Sequence, residues 1–199
     1  MQQLVFATNN QHKLQEAAAK IEGRVKLLSL ADIGCYDDIA ETGRTFRENA
    51  SIKSNYIYHK YLVNCFADDS GLEIDALNGE PGVYSARYAG KQGDHEANIN
   101  KVLADLGSTA NRRARFLTVI SLIRNGEEHF FEGTVEGSIR HGRAGAEGFG
   151  YDPIFQPDGY DRTFAEMSLD EKNRISHRAK AVEKLVAFLF RISDVRFRI

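Results

Sequence analysis

Two β-prone runs, Arg115 to Arg124 and His129 to Ile139, flank Asn125-Gly126. That residue pair suits a two-residue hairpin, because both central positions of a type I′ turn need positive φ. The hairpin commits part of any sheet to antiparallel pairing. Elsewhere the chain alternates strand-like and helix-like stretches. Leu4 to Thr8 and Val25 to Leu30 read as short strands, and His12 to Ile21 between them reads as a helix. Together these patterns predict a mixed α/β chain, not a purely parallel one. Capping signals set further helices: Thr45 with Glu48 opens one to about Tyr61, and Asp94 opens one to about Leu106 that Gly107 closes. Ser168 with Glu171 opens a short helix. Ser176 opens the last long one, to about Phe190, with Ala179, Val182, Leu185, Val186 and Leu189 on its buried face.

With 199 residues, 42% of them hydrophobic and 27% charged, the chain can build one sizeable core or two small lobes. It reads as a single domain over residues 1–199. No apolar run reaches the roughly 18 residues of a membrane span, and the first residues lack a signal-peptide pattern, so no membrane and a cytoplasmic location are expected. A net charge of −2 argues against a protein that coats a nucleic acid polymer. It still allows a local basic pocket for a phosphorylated small molecule. Cys35 and Cys65 form neither a disulfide framework nor a zinc pattern and read as buried thiols.

Candidate chemistry gathers first at Asp68-Asp69-Ser70-Gly71, behind the apolar run Tyr61 to Phe66. The expectation is a turn that presents two acids at a sheet rim; an ordinary acidic turn is the alternative. Near the start, Asn9-Asn10-Gln11 breaks strand from helix, a junction where unpaired N–H groups favour anions, with Lys13 in the first turn. Phe46, Ala50 and Ile57 share a helix face with Lys53 in their midst, and Lys60 lies near the same stripe. Periodicity does not choose between the two lysines. Arg87 is a candidate anion clamp, with an exposed arginine as the alternative. Phe149 and Tyr151, on a glycine-rich loop beside Asp152, fit either stacking on a planar base or anchoring in a core. Lys172 sits on the short fourth helix, and His177-Arg178 add basic groups at another helix start. The tail from Ile192 to Ile199 receives no role.

Six motifs occur here in one order: Ala7 to Lys13, Glu41-Thr42-Gly43, Ala67 to Gly71, Gly82 to Arg87, Gly148 to Pro153, and Ser176-His177-Arg178. With them the chain closely resembles the inosine triphosphate pyrophosphatase family over about Leu4 to Leu189. The resemblance implies a mixed α/β fold with a long twisted central sheet and flanking helices, forming two lobes around an active-site cleft. It also implies a homodimer, Mg2+ as cofactor, and hydrolysis of noncanonical purine nucleoside triphosphates (ITP, dITP, XTP) to a monophosphate and pyrophosphate. Carried over by position, it assigns Thr8, Asn9, Asn10, Gln11, His12 and Lys13, with Lys53, to the triphosphate. Glu41 and Asp69 go to the metal, and Asp69 also to the base that deprotonates water. Ser70, Phe149, Gly150, Tyr151, Asp152 and Lys172 go to the nucleotide, and His177 and Arg178 to the oxygen at purine position 6. Arg87 approaches the phosphates. Asn9 and His12 depart from the usual first-loop pattern, which bears on the loop's backbone geometry.

These assignments are chemically coherent. Magnesium takes oxygen ligands and keeps several waters, so one or two carboxylates plus substrate phosphates suffice. A pocket that donates hydrogen bonds to a 6-oxo group leaves its donors unpaired against adenine. Competing readings are a related pyrophosphatase for pyrimidine or methylated nucleotides, and a nucleotide-binding regulator without catalysis. The regulator would not need Glu41 and Asp69 together.

Overall fold

The computed structural model describes residues 3–21, 23 and 25–196. Among them the order is β1 (Gln3–Phe6), α1 (Gln11–Ile21), β2 (Lys26–Leu28), α2 (Phe46–Tyr61), β3 (Cys65–Ile74), α3 (His95–Leu106), β4 (Arg113–Arg124), β5 (Glu127–Ile139), β6 (Phe155–Pro157), α4 (Leu169–Ile175) and α5 (His177–Arg196). The strands pair in the order β2-β1-β3-β4-β5-β6. β1 runs parallel to β2 and to β3, whereas β6 runs antiparallel to β5. The expected mixed sheet is therefore present. Asn125 and Gly126 both take positive φ, 52° and 85°, as their two-residue turn between β4 and β5 requires.

One expectation is overturned. Asp68 to Gly71 is not a turn at a strand end; it lies inside β3, a ten-residue strand from Cys65 to Ile74. Asp68 and Asp69 are 2% and 6% exposed. Cationic and amide partners on neighbouring helices satisfy both carboxylates, so the acids need not leave the sheet for water. The apolar run before them is also shorter as a strand. Leu62, in left-handed conformation, closes α2, and β3 starts at Cys65. α5 continues past Phe190 to Arg196, and residues 197–199 of the tail lie outside the described residues.

The chain divides into two compact units. The first takes the described residues up to Asp69, residues 118–133, and those from Arg178 onward; the second takes residues 70–117 and 134–177. In the first unit the strand period of two sorts side chains onto two faces. Leu4, Phe6 and Phe66 pack with Ala17 and Ile21 of α1 and with Val182 and Leu185 of α5. Val5, Ala7, Cys65 and Ala67 pack with Ile57 of α2. α1 and α5 thus cover one face and α2 the other. Thr45 and Glu48 form the expected capping box at the start of α2, and the Ser54 and Ser121 hydroxyls, 2.7 Å apart, fasten that helix to β4. In the second unit Leu72, Ile74, Ile99, Val102, Phe116 and Phe155 share a core.

Cys35 and Cys65 are free and buried, as expected. Burial pushes the Cys65 thiol up to about 12. Among the described residues, no helix is long and apolar enough to cross a membrane.

Phe6 and Phe66 are register partners on β1 and β3, and their rings stack at 4.3 Å with a 12° interplanar angle. Both are fully buried. Phe66→Ala should lower the unfolding free energy by about 3–5 kcal/mol in urea titration. A loss below about 1 kcal/mol would contradict the packing described.

Candidate active site

Because successive side chains of a strand point to opposite faces, Asp68 and Asp69 meet different helices. Asp68 faces α1 and α5. Its Oδ1 accepts a hydrogen bond from Lys13 Nζ at 3.0 Å, and its Oδ2 accepts one from Arg178 Nε at 3.1 Å. Arg178 Nη1 donates in turn to Glu16, one turn beyond Lys13 on α1. Burial alone would raise the Asp68 pKa, but Lys13 and Arg178 outweigh it and hold the carboxyl well below the usual carboxylate range. The ionised Asp68 therefore stabilises the fold above the ordinary aspartate pKa, and that contribution is lost only as pH falls through the depressed folded value. Burial lowers the Lys13 pKa, and Asp68 opposes the shift.

Asp69 faces α2. Its Oδ2 accepts a hydrogen bond from Asn49 Nδ2 at 3.0 Å. Burial raises its pKa, with Glu41 adding to the shift and Lys53 and Lys13 opposing it. Lys53, 9% exposed, forms an ion pair with Glu41. Burial pulls its pKa down, yet the Asp69 and Glu41 carboxylates win and the value lies above that of an ordinary lysine. Of the two lysines, Lys53 is the one that lies beside Glu41. Lys60 stands at the surface, 2.5 Å from Asp37.

The first loop is ordered by its own side chains. Thr8 Oγ1 accepts from Asn10 N–H at 3.2 Å, and Asn10 Oδ1 accepts from the N–H groups of His12 and Lys13 at 3.0 and 3.2 Å. Asn10 therefore caps α1. Asn9, Gln11 and His12 are exposed beside it. The first unit thus brings Lys13 to Asp68 and Lys53 to Glu41, with both ammonium groups close enough to act on Asp69.

The second unit carries a different set. Asp152 Oδ2 accepts from Phe149 N–H at 2.9 Å and from Lys172 Nζ at 2.7 Å, and the Lys172–Asp152 pair is buried. The Lys172 ammonium lies 5.0 Å from the Phe149 ring centroid, within cation–π range. Gly148 has φ 77°, and a Cβ there would fall 2.1 Å from Asp152 Oδ2, so the loop closes this tightly only with glycine. Tyr151 is a core residue, 4% exposed, whose hydroxyl donates to the Ser85 carbonyl at 2.8 Å. Phe149 is half-buried, and Gly150 between them has φ 64°. His177 stacks on Phe116 at 4.7 Å and 10°. Ser70 is half-buried on β3. Arg87 ends a short 3₁₀ turn with its guanidinium 5.3 Å from the Tyr84 ring centroid. His177 and Arg178, consecutive in sequence, belong to different units.

Glu41 and Asp69 are the oxygen donors that suit a hard divalent cation. Both carboxylates raise the pKa of one ammonium, that of Lys53, so they share its neighbourhood. Among the described residues no group of three or more His, Cys, Asp or Glu side chains could enclose a metal. A cation held here would draw its remaining ligands from water and phosphate oxygens, the habit of magnesium.

The sequence pattern of the Ham1 family matches residues 4–188. A dITP/XTP pyrophosphatase of Flavobacterium psychrophilum is 52% identical over 94% of this chain and 98% of its own. The chain belongs to the Ham1 family. Two solved structures carry the same fold. The Staphylococcus aureus Ham1 protein is 46% identical with a TM-score of 0.86, covering 94% of this chain and 98% of its own. A HAM1 protein from Coxiella burnetii is 40% identical with a TM-score of 0.88, covering 96% and 100%.

Asn49 and Glu16 had no signal as site residues in this Ham1 sequence. Each is a polar residue inside a helix, and only its burial, 0% and 4% exposed, shows that it faces inward. Lys53 and Lys60 supply an internal contrast. Lys53→Ala should lower kcat/KM for a nucleoside triphosphate about 10- to 100-fold, the weight of a hydrogen bond to a charged group. Lys60→Ala should stay within about twofold. Equal losses, or none, would contradict the placement.

Proposed function

We propose that this chain is a magnesium-dependent pyrophosphatase that hydrolyses ITP, dITP and XTP to the monophosphate and pyrophosphate. The observation that carries the reading is the set Asp69, Glu41, Lys53 and Lys13 in the first unit, two buried or half-buried carboxylates interleaved with two ammonium groups. A regulator that only bound nucleotide would have no use for the Glu41–Asp69 pair. The dITP/XTP pyrophosphatase of F. psychrophilum, at 52% identity, supports the same substrate class. The homodimer and the cytoplasmic location belong to this reading through the family resemblance.

In the reading, Lys13, Lys53 and the loop from Thr8 to His12 bind the phosphates. Glu41 and Asp69 would hold magnesium, which when bound supplies positive charge to the phosphate oxygens. Asp69 orients a water and takes its proton as the water attacks the α-phosphorus in line. Lys13 and Lys53 offset the charge that develops on the departing pyrophosphate. Phe149, Gly150, Tyr151, Asp152, Lys172 and Ser70 serve the nucleoside, with Tyr151 acting from the core through the loop it anchors. His177 serves the purine edge. Arg178 serves the same purine edge, and its guanidinium also holds Asp68. Arg87 remains assigned to the phosphates.

Incubation of the purified protein and magnesium with ITP, XTP, GTP, ATP, dUTP and 7-methyl-GTP tests this, with pyrophosphate and orthophosphate measured separately. The expected result is pyrophosphate release from ITP and XTP, with kcat/KM about 100-fold above that for ATP and GTP. A preference for ATP, for dUTP or for the methylated nucleotide would contradict the substrate class. Orthophosphate as the primary product would contradict the bond cleaved.

A further inference from the structure

Asn49 is fully buried on the first turns of α2, and its carboxamide is used at both ends. Nδ2 donates to Asp69 Oδ2 at 3.0 Å, and Oδ1 accepts from the Gly43 N–H at 2.8 Å. Gly43 lies two residues after Glu41. A Cβ at Gly43 would fall 2.7 Å from Asn49 Oδ1 and 2.6 Å from Glu48 Cβ, so the loop reaches the amide only without a side chain. The neighbouring N–H groups of Arg44 and Thr45 donate to Glu48 Oε2. One turn further along α2, Lys53 holds Glu41 itself.

We propose that Asn49 is a positioning residue that ties the Glu41 loop to Asp69 and so sets the separation and orientation of the two carboxylates that receive the divalent cation. The chemistry selects this side chain. A half-buried N–H and a buried carboxylate need an acceptor and a donor at fixed spacing, and an amide of this length has both. Aspartate would set a second negative charge against Asp69, leucine would remove this hydrogen bond from both partners, and glutamine would push the loop out by a methylene. Side chains that hydrogen-bond a ligating carboxylate raise metal affinity and activity by fixing its direction. The inference rests on the pyrophosphatase reading for its turnover assays, but not for its metal-binding assay.

The test compares wild type, Asn49→Ala, Gly43→Ala and Ser121→Ala. Gly43→Ala disturbs the same link from the loop side with Asn49 intact. Ser121→Ala removes a hydrogen bond that anchors the same helix without touching Asp69 or Gly43. Mn2+ affinity of the substrate-free protein is read by electron paramagnetic resonance. Turnover of ITP is measured across magnesium concentration, and circular dichroism confirms folding. Asn49→Ala and Gly43→Ala should weaken Mn2+ binding and raise the magnesium needed for half-maximal rate, each by about 10- to 100-fold. KM for ITP at saturating magnesium should change less than about threefold. Ser121→Ala should leave the metal constants within about twofold. If Asn49→Ala does not fold, Gly43→Ala alone decides. Unchanged metal constants in the folded variants, or equal shifts in Ser121→Ala, would overturn the proposal. A wild-type protein that binds Mn2+ but releases no pyrophosphate from ITP would instead overturn the pyrophosphatase reading alone.

Discussion

Two carboxylates side by side in the middle of a buried strand are the constraint on which the first unit depends. An unpaired buried carboxylate costs several kcal/mol, and two in succession would break the sheet or be protonated. The pleat resolves this by sending them to opposite faces. Asp68 meets Lys13 and Arg178, and Asp69 meets Asn49, with Lys53 close enough to oppose the rise that burial gives its pKa. The contacts that let β3 form also bring α1, α2 and α5 into register around it. Folding and site assembly are therefore one event here, since the helices that cover the apolar faces also carry the charges that neutralise the acids.

The two acids are not equivalent in consequence. Asp68 belongs to a chain of alternating charge, Lys13, Asp68, Arg178 and Glu16, in which every group has an oppositely charged neighbour. Such a network fixes geometry and strongly disfavours the loss of any member. Asp69 accepts a hydrogen bond from the Asn49 amide, and burial raises its pKa, so it stands apart from that network of alternating charge. In the second unit, the pairing of Asp152 with Lys172 and the Phe149 N–H serves a comparable purpose. It orders a glycine-rich loop around a half-buried aromatic ring.

Much of the fold was legible because it rested on local chemistry. Asn125-Gly126 demanded a hairpin, and the capping boxes at Thr45 and Ser168 marked helix starts within a residue. The mid-strand position of Asp68-Asp69 was not legible, because acids beside glycine ordinarily mean a turn and only tertiary partners reverse that preference. Lys53 could not be told from Lys60 by periodicity. What separates them is the Glu41 loop, twelve residues earlier in sequence than Lys53. Arg178 shows the same limit. Its place at a helix start gives no sign that Glu16 on α1 and Asp68 on β3 pair with it. Asn49 had no signal in the sequence, since an asparagine within a helix is ordinarily exposed.

The separation of roles between the adjacent acids is tested most directly by measuring Asp68→Asn and Asp69→Asn side by side for stability and for ITP turnover. Asp69→Asn should keep a near-native unfolding transition while kcat falls by about 10²- to 10⁴-fold, the range of a general base. Asp68→Asn leaves Lys13 and Arg178 without their shared carboxylate, and should lose about 3–5 kcal/mol of stability. Near-normal turnover by Asp69→Asn, or a greater loss of stability there than in Asp68→Asn, would contradict it.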